Sequence, residues 1–441
     1  MGKTSKIKSA NGMPIGEKIK LLRTANSMTQ AELGEIIWSS AAKISRVESS
    51  GETYKQQDLE YIKQHFGFLE MPLTDFECDA FKEGLYFWRE LIIDRKLSEA
   101  REFGDKRSYA TQFEPFDFDI AVLYRLFEAL LLIYEGGFEA AEEKIDYLRG
   151  ALGKMNDEYL CLHYINLGLL SIRRDGDYET ALDFYKQAYE LKENNESIST
   201  RIDEKLYIDM ALCYTYLDYP NRALFFLNKT PKAYTEKRSE QFKTSLNVVL
   251  AGNYRKIGEL KEAEKILSKC LLRVKGIGDE NLIASALYEH GLLYKRLNNL
   301  EQAIECFDQT LGIKQANPSY HQWVLYHKIH CFIGMRNFAE AEKLIEQAKA
   351  LYRTNKEHLI PFESISYFLT ISNSITQFSE ESVDYIEKVT IPYLIKQHDY
   401  FLAADYYAIL EKHYKKTRKN MRSLIASKGI KDIYEKVFIQ S

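Results

Sequence analysis

The sequence is short of helix breakers. Proline occurs 8 times and glycine 22 times in 441 residues, about 2% and about 5% against roughly 5% and 7% in average proteins. That scarcity excludes collagen, proline-rich disorder and the turn-dense β-sandwiches. The six cysteines, Cys78, Cys161, Cys213, Cys270, Cys306 and Cys331, are widely and unevenly spaced, and none forms a C-x-x-C pair. Neither a disulfide framework nor a structural zinc is expected, and the thiols read as reduced members of a helical core. No long apolar run is present. The most apolar stretch, Ala121 to Tyr134, is interrupted by Arg125 and Glu128 and is too short to cross a bilayer. Residues 1–30 lack the apolar core of a secretion signal, so a cytoplasmic protein with no membrane partner is expected. Charge of one sign is missing too. A formal net charge of −4 rules out a uniformly basic coat, though not a local basic patch. What is plentiful is aromatic: 31 tyrosines and 23 phenylalanines, side chains that usually fill a core.

The near-neutral charge is unevenly distributed. Residues 1–50 hold eight basic side chains (Lys3, Lys6, Lys8, Lys18, Lys20, Arg23, Lys43, Arg46) and four acidic ones (Glu17, Glu32, Glu35, Glu48). A small basic head on an acidic body suggests that the head meets an anion. Residues 1–12 are expected to be flexible. From Ile15 to Ala25, Ile15, Ile19 and Leu22 fall at helical spacing. Ser27-Met28-Thr29-Gln30-Ala31-Glu32 carries a hydroxyl N-cap and an acid in the first turn. Ala31, Leu33, Ile36 and Ile37 give a second short helix an apolar face. Ser40 can cap a third through Glu48, closed by Gly51, and Tyr61, Ile62 and Phe66 mark a fourth.

Three short helices, the third opening with small and polar side chains, suit a major-groove reader. The segment from Thr29 through Glu48 resembles the phage-repressor (Cro/C1-type, Xre-like) helix-turn-helix family. That family pairs an arginine seven residues before the second-helix glutamine with a glutamate eighteen after it, the offsets at which Arg23 and Glu48 stand from Gln30. The resemblance implies that Arg23–Glu48 is structural and that Gln30 and Ser45 or Arg46 touch phosphates. Ser40, Ala41, Ala42 and Lys43 then face bases of double-stranded operator DNA. Trp38 departs from the family, which usually has glycine in that turn; it either strains the turn or packs outward on a neighbouring domain. With alanines at two reading positions, specificity would lean on Lys43, thymine methyls and DNA shape. The alternative is a module kept only for dimerising or docking.

The remainder is repetitive. A turn residue, an aromatic or leucine, and an alanine two or three positions on recur at Ala100, Ala141, Ala181, Ala223, Ala263, Ala303 and Ala341, in steps of 41, 40, 42, 40, 40 and 38. Each phrase reads as a helix, a tight turn and a second helix, the alanine allowing close approach. One such pair cannot bury its apolar face alone, so neighbours must stack. Gly168, Gly252 and Gly291 sit on first helices where packing needs a small residue. The phrases resemble tetratricopeptide repeats, clearest from Asp177 to Leu191, although the beat is nearer 40 than the usual 34. Past Ala341 the pattern fades; His398 to Ala403 reads as a last copy and residues 421–440 as a capping helix. The expected fold is all-α: a helix-turn-helix domain over residues 13–69, then a right-handed tetratricopeptide-like solenoid over residues 70–441.

Other chemistry is thin. His327, His330 and Cys331 lie close on one helix but lack a second ligand pair, so no metal site is expected. Gly2-Lys3-Thr4 lacks the upstream glycine and strand of a phosphate loop. No catalytic constellation stands out, so neither an enzyme nor a cofactor is expected. The basic run Lys412, Lys415, Lys416, Arg418, Lys419, Arg422 reads as a solvated helix face, with a second DNA contact as the alternative.

A helix-turn-helix head on a tetratricopeptide-like body resembles the RNPP family (Rap, Rgg, NprR, PlcR and PrgX) of peptide-pheromone receptors, a layout shared by phage arbitrium receptors. The resemblance implies a cytoplasmic quorum-sensing transcription factor, usually a homodimer, whose concave groove binds a short imported signalling peptide. A peptide that prefers one superhelical pitch would shift the separation of two DNA-reading heads. An extended peptide needs its amides and termini satisfied, which favours polar side chains on first helices. Asn166 is the first candidate, followed by Asp209, Asn253, Arg255, Glu289, Lys295 and His327. Two alternatives are a Rap-like inhibitor or phosphatase of a response regulator, and a plain protein-interaction scaffold.

Overall fold

The computed structural model describes residues 14–50, 54–66, 75–113, 117–313, 318–353, 360–366 and 380–439. Among them there is no strand. The expected flexible terminus, the Gly2-Lys3-Thr4 echo, the closing Gly51 and the 69/70 boundary lie outside the described residues. The chain divides into two compact units, Met1–Ile202 and Asp203–Ser441.

The first unit begins with four short helices: α1 (Ile15–Ala25), α2 (Gln30–Ile36), α3 (Ala41–Ser50) and α4 (Gln56–His65). Their apolar faces meet in a small core of Ile19, Leu22, Leu33, Ile37, Ile44, Val47, Leu59 and Ile62, all buried. Thr29 starts α2 through a capping box: its hydroxyl accepts from Glu32 N (3.2 Å) and the Glu32 carboxylate accepts from Thr29 N (2.6 Å). A β-carbon on Gly16 would lie 2.1 Å from the Val47 carbonyl oxygen, so α1 and α3 cross backbone to backbone. The four-helix head is fastened to the repeats that follow. Lys18 Nζ, fully buried, lies 3.8 Å from the Asp117 carboxylate and 3.7 Å from Cys78 Sγ, and Lys63 pairs with Glu77.

Helix pairs make up the rest of both units. In the first unit they are α5 (Asp75–Ile93) with α6 (Leu97–Asp105), α7 (Phe118–Glu135) with α8 (Phe138–Arg149), and α9 (Asp157–Asp175) with α10 (Tyr178–Asn194). Most of α11 (Thr200–Tyr216) lies in the second unit, followed by α12 (Pro220–Lys229), α13 (Lys232–Lys237), α14 (Glu240–Ile257), α15 (Leu260–Ile277), α16 (Glu280–Arg296), α17 (Leu300–Leu311), α18 (Pro318–Gly334) and α19 (Phe338–Tyr352). Helices Tyr400–Lys416 and Asn420–Tyr434 come last. First helices of neighbouring pairs pack on one another, α7 on α9 and α14 on α16.

The recurring phrase has one geometry. Arg95, Gly136, Gly176, Asp218, Gly258, Asn298, Arg336, His398 and Arg418 all adopt positive φ, each two positions before a second helix begins. The following N–H then reaches back to the first helix, five residues in turns such as Gly137 N to Leu132 O and Asn337 N to Phe332 O (both 2.9 Å) and six from Asp177 N to Ser171 O (3.2 Å), the Schellman arrangement. The anchor alanines 100, 141, 181, 223, 263, 303 and 341 are all fully buried, and so is Ala403. The copy at His398–Ala403 therefore has the same build as the rest. Close packing explains the first-helix glycines: a β-carbon on Gly168 or Gly291 would stand 2.5 Å from the Tyr185 or Phe307 ring of the paired helix. All six cysteines are buried thiols, none of them in a disulfide.

Candidate functional site

Two places carry polar chemistry that the packing alone does not explain: the outer end of α3 in the first unit, and one face of the first helices in the second.

In the head, Arg23 grips Glu48 with two bonds, Nε to Oε1 (2.7 Å) and Nη2 to Oε2 (2.8 Å), and donates a third to the Met28 carbonyl (2.6 Å). Burial acts to raise the Glu48 pKa, but the bonds from Arg23 and Gln30 hold the carboxyl below its ordinary value. Gln30 Nε2 donates to Glu48 (2.9 Å), so its amide locks α2 to α3. Ser40 caps α3, its hydroxyl accepting from Lys43 N (3.3 Å). Ala41, Ala42 and Arg46 are exposed, and Ser45 is half-buried. Lys43 lies against Asp58 of α4 (3.2 Å); Asp58 also accepts from Lys55 N (3.2 Å) at the start of α4. Sequence reasoning missed Asp58, for which only its first-turn position on the fourth helix is a signal. Trp38 takes the left-handed turn conformation (φ 47°), its ring exposed and edge-on to Tyr61 with centroids 5.0 Å apart. Both expectations for this residue thus meet in part: the turn is strained, and the indole packs outward, but on α4 of the same head.

In the first-unit repeats, Asn166 is buried and donates from Nδ2 to the Leu126 carbonyl of α7 (2.8 Å). It ties two first helices together.

In the second unit a polar ladder crosses the first helices. Asp209, buried on α11, pairs with Lys205 one turn earlier. Asn253 of α14 donates to Thr215 of α11 (2.7 Å), and its Oδ1 is buried without a hydrogen-bond partner. Arg255 of α14 reaches Glu289 of α16, with Nη2 3.1 Å and Nε 3.2 Å from Oε2. Lys295 of α16 meets His327 Nδ1 of α18 at 3.2 Å. Tyr326 of α18 shares a hydrogen bond with Tyr406 of the Tyr400–Lys416 helix (3.0 Å). The Tyr400–Lys416 helix then returns to the beginning of the unit: Phe401 N donates to Asp218 (3.3 Å), and Asp218 also holds Lys256 of α14 (2.6 Å). The structure thus brings Asn253, Arg255, Glu289, Lys295 and His327 onto one ladder, with Asp209 at its start. Sequence reasoning missed Asp218, Asp399 and the Tyr326–Tyr406 pair.

Burial sets the protonation of this face. It pushes the Lys295 pKa down, and it holds His327 and His330 well below the usual imidazole value, with the Lys295 charge adding to it. Burial first, then the neighbouring Asp218, lifts Asp399 to about 6. Asp399 accepts from Leu402 N (3.2 Å) as the cap of its helix. Among the described residues no group of three or more His, Cys, Asp and Glu side chains is arranged to hold a metal, and no helix is long and apolar enough to cross a membrane.

Comparison with known proteins places this arrangement. Family models described as the tetratricopeptide repeat match residues 164–199 and 244–316. The chain is 23% identical over 415 residues to the transcriptional activator NprA of Geobacillus stearothermophilus, covering 90% of this chain and 97% of that protein. Its fold resembles NprR in complex with its cognate peptide NprX (TM-score 0.61, 20% identity, 80% of this chain and 99% of that one). It also resembles a Rap protein complexed with competence and sporulation factor (TM-score 0.62, 15% identity, 82% and 100%). The chain carries tetratricopeptide repeats, is homologous over nearly its whole length to the transcriptional activator NprA, and shares the fold of NprR and Rap.

Proposed function

We propose that this chain is a cytoplasmic, homodimeric transcription regulator. It binds double-stranded DNA through α2 and α3 and is controlled by a short signalling peptide held on its first helices. One observation carries the proposal. The likeness to a transcriptional activator leaves only about a tenth of the chain unmatched, fewer residues than the head through His65 contains, so the likeness extends into the head. The head supports it chemically. Ala41 and Ala42 form an exposed first turn on α3 next to the Ser40 cap, as suits a helix that enters the major groove. Lys43 enters DNA contact only by leaving Asp58, so base contact there rests first on the small side chains and on DNA shape.

Selection from random double-stranded DNA should enrich a palindromic site, and affinity for it should fall steeply with salt. Ala42→Glu sets a carboxylate on the exposed turn and should weaken binding at least tenfold with an unchanged melting temperature. A flat salt response, or an Ala42→Glu variant that binds as well as the parent, would refute the DNA reading. The fold shared with Rap supports a second reading, in which the body binds a response regulator. Retention of such a protein, together with no enrichment of DNA, would favour it.

A further inference from the structure

The ladder of the second unit has one charge without a counter-charge. Lys205 faces Asp209, Lys256 faces Asp218, and Arg255 faces Glu289. Lys295 instead faces an imidazole, His327 Nδ1, at 3.2 Å, and among the described residues no carboxylate lies within ion-pair distance of it. An ammonium only donates, so Nδ1 accepts and the His327 proton sits on Nε2. Both members of the pair therefore present donors and neither presents a negative charge.

The surroundings intensify this. His327 is ringed by Tyr288, Phe307, Trp323 and Tyr326, with centroids 5.4 to 6.5 Å away, a setting of low dielectric in which an ion pair gains strength. Arg255 adds positive potential, and burial already depresses the ammonium. Asp399 and Asp405 act on Lys295 from farther off, and Asp399 is committed to capping its own helix. An anion arriving at Lys295 would reduce an existing penalty, because the half-buried lysine is already partly desolvated before the ligand comes.

We infer that Lys295, backed by His327, is the point on the second unit that binds a carboxylate of the signalling peptide. The inference rests on the peptide-receptor reading. The carboxylate has two sources, an aspartate or glutamate side chain or the free carboxy-terminus, and the chemistry at Lys295 is the same for both.

The test offers four pools of random octapeptides to the full-length chain and measures retained peptide by mass spectrometry after gel filtration. The first pool has acidic residues and a free carboxy-terminus. The second has acidic residues and an amidated terminus. The third has a free terminus and no acidic residue, and the fourth has no carboxylate. Peptides should be retained from the first pool and from the second or the third, whichever carries the source. The fourth should be retained about tenfold less or lower still, the size of one charge-assisted contact. Lys295→Met should erase that preference while its melting temperature stays equal or rises, since it deletes an unpaired charge; Lys295→Arg should keep it. Equal retention of the carboxylate-free pool, or a preference that survives Lys295→Met, overturns the inference alone. Retention from no pool overturns the peptide-receptor reading and this inference with it.

Discussion

Replacing Glu48 by alanine strikes the joint on which the head depends. The side chains of Arg23 and Glu48 are 9% and 2% exposed, so the pair is effectively buried. The substitution deletes both bonds from Arg23 and the one from Gln30. Arg23 keeps only the Met28 carbonyl, and the Gln30 amide is left without its acceptor. Breaking a buried pair on one side costs about 3–5 kcal/mol, which raises the opening constant of the head by about two to four orders of magnitude. Hydrogen exchange followed by mass spectrometry reads this locally. Protection in α1–α4 should fall by at least a hundredfold while α9 and α10 keep theirs. The double variant Arg23→Met/Glu48→Leu removes both charges and should recover more than half of the loss, because most of the penalty is the stranded guanidinium. The reasoning fails if Glu48→Ala changes head protection by less than tenfold, or if the double variant is no better than the single.

Two further outcomes follow from packing and protonation. Gly168→Ala drives a β-carbon to 2.5 Å from Tyr185 and should destabilise the chain by about 1–3 kcal/mol. Gly276→Ala, in a helix with open space around it, should stabilise by up to about 1 kcal/mol; melting curves in the reverse order would refute the close-approach account. Stability should also fall as pH drops from 7 toward 5. Burial holds His163 at about 4 and lowers His290, His327 and His330, so the unfolded chain takes up protons below about pH 6.5 that the folded chain refuses. Full titration of His163 alone is worth about 3 kcal/mol. Asp399, raised to about 6, works the other way over the lower part of that range and is outnumbered. A melting temperature that rises between pH 7 and 5 would contradict this balance.

The repeat was legible because a buried alanine admits no larger side chain, so its spacing is written directly in the chain. The turn conformation was legible only at Gly136, Gly176 and Gly258. Asp218, Arg336 and His398 adopt the same left-handed geometry, imposed by the bond that closes the turn. In the head, the offsets of Arg23, Gln30 and Glu48 gave the pair, but the sequence did not show that Gln30 would be drawn into it or that Asp58 would take Lys43. On the ladder, suitable residue types could be read from the first helices. Their pairing could not, because Arg255 meets a partner 34 residues on and Lys295 one 32 on, distances set by the pitch of stacking. The bond from Phe401 to Asp218 spans 183 residues and has no local signal.

The first unit shows how strain in the repeats would reach the head. Asp117 does two jobs: it caps α7, accepting from Ile120 N at 3.2 Å, and it faces the fully buried Lys18 of α1. Asn166 in turn holds α9 to the α7 backbone. A rearrangement that shifts the start of α7 must therefore carry α1 with it or leave two charges buried apart, at a cost of several kcal/mol. Carrying α1 is the cheaper course. Because α1 crosses α3 at Gly16 with no room to slide, the exposed first turn of α3 moves as part of the same body. The buried lysine is thus better understood as a rigid coupling between head and repeats than as a source of stability, since an apolar pair of the same shape would pack at least as well.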